Sequence, residues 1–283
     1  MKNFSAKSDL QTYLNPLRKK KKKIGFVPTM GALHKGHLSL VKRALYKTDV
    51  CVVSIYVNPT QFNDFKDLES YPRTVDSDVL KLKQISDNIV VYVPTNEDIY
   101  GKDFSLSDFD FMGLDKIMEG ANRPGHFKGV ANVVERLINA VQPKFTFFGE
   151  KDYQQLSIIQ HLNQKHRWRT TIVPCPTERE YNGLALSSRN QKLSETSREK
   201  SGVIYEILKQ VKLKFSTNSM ENLKLYVKKK ISMHKDFIEL EYFEIADELT
   251  LTPAKKNQKK LKYRAFIAAK VEGVRLIDNI QLN

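Results

Sequence analysis

The chain has 283 residues, 41% of them hydrophobic and 10% aromatic, enough to bury a large core as one big domain or two ordinary ones. No apolar run approaches the roughly 18 residues of a membrane-spanning helix, and the lysine-rich start lacks the apolar stretch of a secretory signal, which excludes a membrane partner and points to the cytoplasm. The net charge of +15 suits anionic ligands, yet the basic runs at 18–23 and 255–262 carry no aromatic interleaving of an RNA-reading kind, so no nucleic-acid partner is expected.

Residues 8–17 predict a short helix, with Ser8 and Asp9 as start signals and Leu10, Tyr13, Leu14 and Leu17 on one face. Residues 24–27 are apolar and predict a strand, whereas Leu38, Val41, Ala44 and Leu45 recur at helical spacing. The β-branched run at 50–57, which includes Cys51, predicts a parallel strand covered on both faces and closes a first right-handed βαβ unit. A helix over 76–85 and a strand over 89–93 continue the alternation, and 94–116 is loop-rich and unassigned. The polar, glycine-rich stretch 119–129 reads as a long functional loop, followed by a helix over 130–141 and a strand over 145–148. A helix from Leu156 and a strand over 170–173 complete about five strands; Cys51 and Cys175 have no metal-ligand spacing and suggest no disulfide framework. Beyond Glu178 the alternation weakens into helices at 198–211 and 220–231 and strands at 238–245 and 263–271. The expected fold is therefore α/β, a parallel sheet with helices on both faces over 1–178, followed by a smaller α+β domain with an antiparallel sheet over 179–283.

Ligands of such sheets gather beyond the carboxyl ends of the strands, where the informative loops lie. Residues 28–37, Pro-Thr-Met-Gly-Ala-Leu-His-Lys-Gly-His, join a strand to a helix, whose first amides and dipole attract an anion. His34 and His37, three apart, fit a helix cap, a metal pair or a phosphate site, and the flanking strand, glycines and helix favour phosphate. Asn58, Pro59, Thr60 and Gln61 end the second strand with amide groups, where a turn or cap is the plain alternative. Gly149, Glu150, Lys151, Asp152, Gln154 and Gln155 offer a cation for phosphate, carboxylates for hydroxyls and amides for a substrate carboxylate, or else a helix cap. Ser187, Ser188 and Arg189 suit a polyphosphate, because a guanidinium fork engages two oxygens together, or else form an ordinary helix-capping turn.

His34-Lys35-Gly36-His37 resembles the His-x-Gly-His signature of the nucleotidyltransferase superfamily, whose members activate a carboxylate or phosphate by attack on the α-phosphorus of ATP. Together with Val57-Asn58-Pro59, Gln61-Phe62, the Arg123-Pro124-Gly125-His126-Phe127 run, Phe148 to Asp152, Gln154-Gln155, the Leu186 to Asn190 run and the Arg275 to Asn279 run, it closely resembles the pantothenate synthetase (pantoate β-alanine ligase) family. The resemblance implies an ATP-dependent ligase that makes pantoyl adenylate, releases pyrophosphate, and lets β-alanine displace AMP to give pantothenate. It implies a Rossmann-type first domain, a mobile C-terminal lid, a homodimer and Mg2+ on the triphosphate. By the same resemblance Met30, Gly31, Ala32, Leu33, His34, Lys35, Gly36 and His37 contact ATP, as do Gly149, Glu150, Lys151, Asp152, Glu178, Leu186, Ser187, Ser188 and Arg189. The catalytic set is His34, His37, Lys151, Ser187, Ser188 and Arg189; Gln61 and Gln155 bind pantoate, Gln61 also adjoins β-alanine, and Asn58 positions phosphate or metal, with no direct protein ligand to the metal. Asn182, the Gln191-Lys192 pair and Glu178 depart from the family pattern. A different adenylate-forming enzyme would use the histidine loop and Lys151 equally well but would give Gln61 and Gln155 no special reason.

Overall fold

A computed structural model describes residues 1–102 and 104–283. The strands are β1 (Lys2–Phe4), β2 (Ile24–Thr29), β3 (Val50–Ile55), β4 (Ile89–Tyr92), β5 (Phe145–Gly149), β6 (Thr171–Cys175), β7 (Ile238–Asp247), β8 (Tyr263–Val271) and β9 (Val274–Gln281). The helices are α1 (Lys7–Lys19), α2 (Lys35–Lys47), α3 (Phe65–Glu69), α4 (Val75–Lys83), α5 (Asn96–Tyr100), α6 (Met118–Asn122), α7 (His126–Val141), α8 (Tyr153–His166), α9 (Glu195–Lys200), α10 (Val203–Lys214) and α11 (Met220–Ser232), with short 3-10 turns at Pro59–Gln61, Glu150–Asp152 and Ser188–Lys192. The chain forms two compact units, one of Met1–Glu150 with Gln155–Pro176, the other of Lys151–Gln154 with Thr177–Asn283.

The first unit is a parallel sheet of order β1-β4-β3-β2-β5-β6. Alternate strand residues face opposite sides: Val27, Val53, Val91 and Phe147 share a buried cluster with Val41 and Ala44 of α2 and Leu82 of α4. Phe26, Val52, Val90 and Tyr92 are buried on the other side, where α7 meets β2 and α1 meets α7. Burial on both faces explains why these strands read as nearly unbroken β-branched runs. The order runs outward from β2 through β3 to β4 and then restarts on the other side at β5, so the switch point lies beyond the carboxyl ends of β2 and β5.

Several expectations change. The sheet has six strands, because Lys2, Asn3 and Phe4 pair with Val90, Val91 and Tyr92 at its edge; three residues are too few to show any alternation. Residues 119–129 are not one long loop: α6 and the first turn of α7 occupy most of it, and Gly125, at φ 81°, takes the left-handed conformation that turns the chain into α7. The unassigned 94–116 stretch contains α5, capped by the Thr95 hydroxyl on the Asp98 amide (3.2 Å).

The second unit builds an antiparallel sheet, β7-β8-β9, against α10 and α11. Ile204, Ile207, Leu208, Val211, Leu223, Val227 and Ile231 share one core with Ile245, Ile267, Ala269 and Leu276. The helix expected over 198–211 breaks at Ser201–Gly202, where the Asn182 backbone comes so close that a Cβ at Gly202 would stand 2.3 Å from its carbonyl oxygen. Residues 274–281, with no element assigned from sequence, form β9.

Candidate active site

The histidine loop leaves the central strand β2 under tight control. The Thr29 hydroxyl donates to the Ser54 carbonyl (2.6 Å) and accepts from the Gly31 amide (3.2 Å). Gly31 has φ +84°, a left-handed conformation that favours glycine, and a Cβ there would sit tightly, 3.0 Å from Ile55 and 3.2 Å from Asp78. Ala32 also has positive φ (49°), and the Leu33 amide that follows donates to the fully buried Asp78 carboxylate (2.8 Å). Asp78 also accepts from the Thr74 hydroxyl (3.2 Å), and Lys81 spans the Leu33 carbonyl (2.9 Å) and Asp78 (3.5 Å). A buried carboxylate from α4 thus clamps the loop before α2 begins.

His34 is the N-cap of α2 and His37 its third residue. His34 Nδ1 accepts from the Gly36 amide (3.1 Å), His37 Nδ1 accepts from the His34 amide (3.4 Å), and the ring centroids are 4.0 Å apart. An Nδ1 that accepts carries no proton, so the neutral rings hold theirs on Nε2. The cap and phosphate readings are therefore compatible: one nitrogen of each ring satisfies the helix end and the other is a hydrogen-bond donor.

The turn after β3 presents Gln61. Asn58 is 1% exposed. Its Nδ2 donates to Gln61 Oε1 (3.1 Å) and the Gly129 carbonyl (3.2 Å), while its Oδ1 accepts from the Thr60 hydroxyl (3.0 Å) and the Tyr100 hydroxyl (2.6 Å). Burial pushes the Tyr100 phenol up from its ordinary range, keeping it the donor in that bond. The Asn58 amide is thereby engaged inside the protein, with one of its bonds on the Gln61 side chain. Gln61 Nε2 in turn donates to the Met30 sulfur (2.8 Å), joining this turn to the histidine loop.

Arg123 and His126, which belong to a run that resembles the family but had no role assigned from sequence, converge on the same turn. The Gln61 carbonyl receives Arg123 Nη2 (3.2 Å) and lies 2.8 Å from His126 Nδ1, and Arg123 Nη1 lies 3.1 Å from His126 Nε2. Helix α7 comes so close that a Cβ on Gly129 would stand 2.2 Å from the Thr60 oxygen. No spacing rule links residues 61 and 126; the signal was the density of polar groups next to a helix start.

At the end of β5, beside β2 in the sheet, a Cβ on Gly149 would have no atom of the described residues within 4 Å beyond Gly149 itself and its chain neighbours. The fold does not require glycine there, which suits backbone approach by a ligand. Glu150 follows in the first unit, and Gln155 lies half-buried in the first turn of α8.

Lys151 and Asp152 belong to the second unit, with the Lys151 ammonium 3.4 Å from Asp152 Oδ1. There the Leu186 amide donates to the Glu178 carbonyl (3.0 Å) across a short hairpin closed by the Arg179–Ala185 bridge. Ser187 caps the following 3-10 turn, its hydroxyl accepting from the Arg189 amide (3.2 Å), and Ser187, Ser188 and Arg189 are all half-buried. Among the described residues no group of three or more His, Cys, Asp and Glu side chains could hold a metal ion. A protein cage for Mg2+ does not fit this donor set; such an ion would take its ligands from a triphosphate and water.

Comparison with known proteins is consistent across the chain. The profile described as Pantoate-beta-alanine ligase matches residues 2–281. The pantothenate synthetase of Flavobacterium psychrophilum is 50% identical over 279 residues, 99% of each chain. That of Christiangramia forsetii is 46% identical over the whole of both. Among solved structures, the pantothenate synthetase of Thermus thermophilus superposes with a TM-score of 0.90 at 35% identity, covering 100% of this chain and 99% of that one. The pantoate-beta-alanine ligase of Francisella tularensis, complexed with beta-gamma ATP and beta-alanine, gives 0.82 at 37% identity, covering 100% and 98%.

Proposed function

The chain belongs to the pantoate-beta-alanine ligase family and carries out the ATP-dependent condensation of pantoate with β-alanine, and from that premise we propose how its residues divide the work. A pantoate carboxylate oxygen attacks the α-phosphorus of ATP, pyrophosphate leaves, and the β-alanine amine then attacks the acyl carbon, losing a proton as AMP departs. The observation that carries this reading is the pair of histidine rings whose Nδ1 atoms accept from backbone amides at the end of the central strand, beside the switch point, an arrangement that in the neutral rings assigns the proton to Nε2.

Charge develops on the phosphoryl oxygens as pyrophosphate leaves, and preorganised donors stabilise it without reorganising at that moment. His34 and His37 supply such donors, with the loop from Met30 to His37 and the bare backbone at Gly149 forming the ATP contacts of the first unit. Glu150 flanks that backbone. Lys151, Asp152, Glu178, Leu186, Ser187, Ser188 and Arg189 supply the ATP set of the second unit, Lys151 and Arg189 as cations for the polyphosphate. Gln61 and Gln155 hold pantoate, and Gln61 also meets β-alanine, its amide oriented by Asn58 and its carbonyl held by Arg123. Mg2+ would travel with ATP and screen its charge. The free, buried thiols of Cys51 and Cys175 suit a reducing cytoplasm, and among the described residues no helix is long and apolar enough to cross a membrane. We place the enzyme there as a homodimer, which sedimentation equilibrium tests.

The deciding experiment measures AMP formation with pantoate and β-alanine omitted in turn. The reading expects no AMP without pantoate and none in multiple turnover without β-alanine; release independent of β-alanine would identify another nucleotidyltransfer reaction.

A further inference from the structure

The run from Arg275 to Asn279 near the chain end has no part in the chemistry above, yet its last member is one of the few polar residues buried in the second unit. Asn279 lies on β9 opposite Phe266 of β8 and is 4% exposed. Its Nδ2 donates to the main-chain carbonyl of Lys151 (2.9 Å). Its Oδ1 accepts from Arg264 Nη1 (2.6 Å), and Arg264, 5% exposed, holds Glu248 Oε1 with Nε (3.1 Å) and Nη2 (2.7 Å). Arginine is a donor only, so the Asn279 oxygen must face it and the amide NH2 must face Lys151. The guanidinium also lies 3.8 Å from the centre of the Tyr153 ring, whose hydroxyl donates to the Glu248 carbonyl (3.3 Å).

A half-buried carboxylate, a buried guanidinium and a buried amide thus form a chain that ends on one backbone oxygen. Buried polar groups are costly unless fully paired, and two apolar strands could have packed without them. We propose that Asn279, oriented by Arg264 and Glu248, is a positioning residue for Lys151: it fixes the main chain from which the Lys151 ammonium is delivered to the phosphates of ATP. This rests on the reading of Lys151 as a phosphate-directed cation. The chain captures the backbone, so it sets where residue 151 stands whatever its side chain does.

The test uses pantoate-dependent pyrophosphate–ATP exchange by the full-length enzyme. Asn279→Ala removes the donor. Asn279→Asp keeps the shape and the Arg264 contact but sets an acceptor against the Lys151 carbonyl, and it carries the test should the alanine variant not fold. Both variants are expected to lower kcat/KM for ATP by about tenfold to a hundredfold while the pantoate KM stays within about twofold, the signature of a misplaced transition-state contact. Lys151→Ala is expected to lose about a hundredfold or more, and adding Asn279→Ala to it should cost nothing further, since residues acting as a unit are not additive. Gln281→Ala, which removes a bond to Glu248 Oε2 (3.2 Å) at the outer end of the chain, should leave exchange unchanged. Wild-type exchange in Asn279→Asp, additive losses in the double variant, or an equal loss in Gln281→Ala would overturn the proposal while leaving the role of Lys151 intact. Wild-type exchange in Lys151→Ala would overturn that role and the proposal with it.

Discussion

Each imidazole of the histidine loop has two nitrogens, and folding uses one of them. Nδ1 of His34 and of His37 replaces missing helical acceptors for backbone amides, so truncating either ring confounds stability with catalysis. Asparagine separates the two, because its oxygen can cap a helix but does not reach as far as Nε2. His34→Asn is expected to melt within a few degrees of wild type yet lose about a hundredfold to a thousandfold of pyrophosphate exchange, as for a lost oxyanion donor. Nitrogen-15 spectra should show both rings in the Nε2–H form, and an Nδ1–H resonance from either would contradict the capping geometry. Asp78 acts one step back: Asp78→Ala leaves the Leu33 amide buried without its partner, at a cost of about 1–3 kcal/mol, and should also raise the KM for ATP as the loop loosens. Chemical type was readable from sequence at the two histidines, but Asp78 was not, since a carboxylate on an amphipathic helix gives no sign that it turns inward to meet a loop 45 residues away.

Helix α7 shows how an element can serve a site through its backbone alone. Gly129→Ala would drive a methyl group to 2.2 Å from the Thr60 oxygen and 2.7 Å from the Gln61 nitrogen, neither of which belongs to a side chain that could swing aside. Overpacking of this kind costs about 1–3 kcal/mol, and the same displacement of the turn should raise the pantoate KM more than the ATP KM. Helix α9 supplies a pH prediction. Glu272 accepts from the Ser194 amide and from the Ser194 and Ser197 hydroxyls, and these bonds hold its carboxyl below the usual range, the Ser194 amide foremost. A depressed folded value means the contribution is present above the ordinary glutamate range and is lost as pH falls through the folded value. Glu272→Gln should therefore lower Tm at pH 7, and the gap to wild type should close in acid. Most helices were legible because their apolar spacing survives without tertiary knowledge. The start of α7 was missed because Arg123 and His126 turn to the Gln61 carbonyl and Gly125 takes a left-handed conformation, a combination that reads as loop.

Across the molecule, the surplus of positive charge should act on encounter more than on chemistry. Raising ionic strength is expected to lower kcat/KM for ATP while leaving kcat nearly constant, because screening acts on long-range attraction between exposed charges and the approaching anion; a parallel fall in kcat would argue against this. The α/β alternation and the antiparallel C-terminal sheet were both legible, since parallel strands covered on two faces and antiparallel strands leave different patterns. The allocation of residues between the units was not, because nothing in the local sequence says that Lys151–Gln154 leaves the unit of its neighbours. That detour bears on modularity. The chain passes from one unit to the other after Glu150, returns at Gln155, and leaves again at Thr177. The C-terminal part is therefore no self-contained cassette: a polypeptide starting at Thr177 would present Arg264 and Phe266 without the Tyr153 ring they pack on. A chimera that grafts this part from one relative onto another must bring the four-residue insert along with it, or the transplanted sheet arrives with a hole in its face.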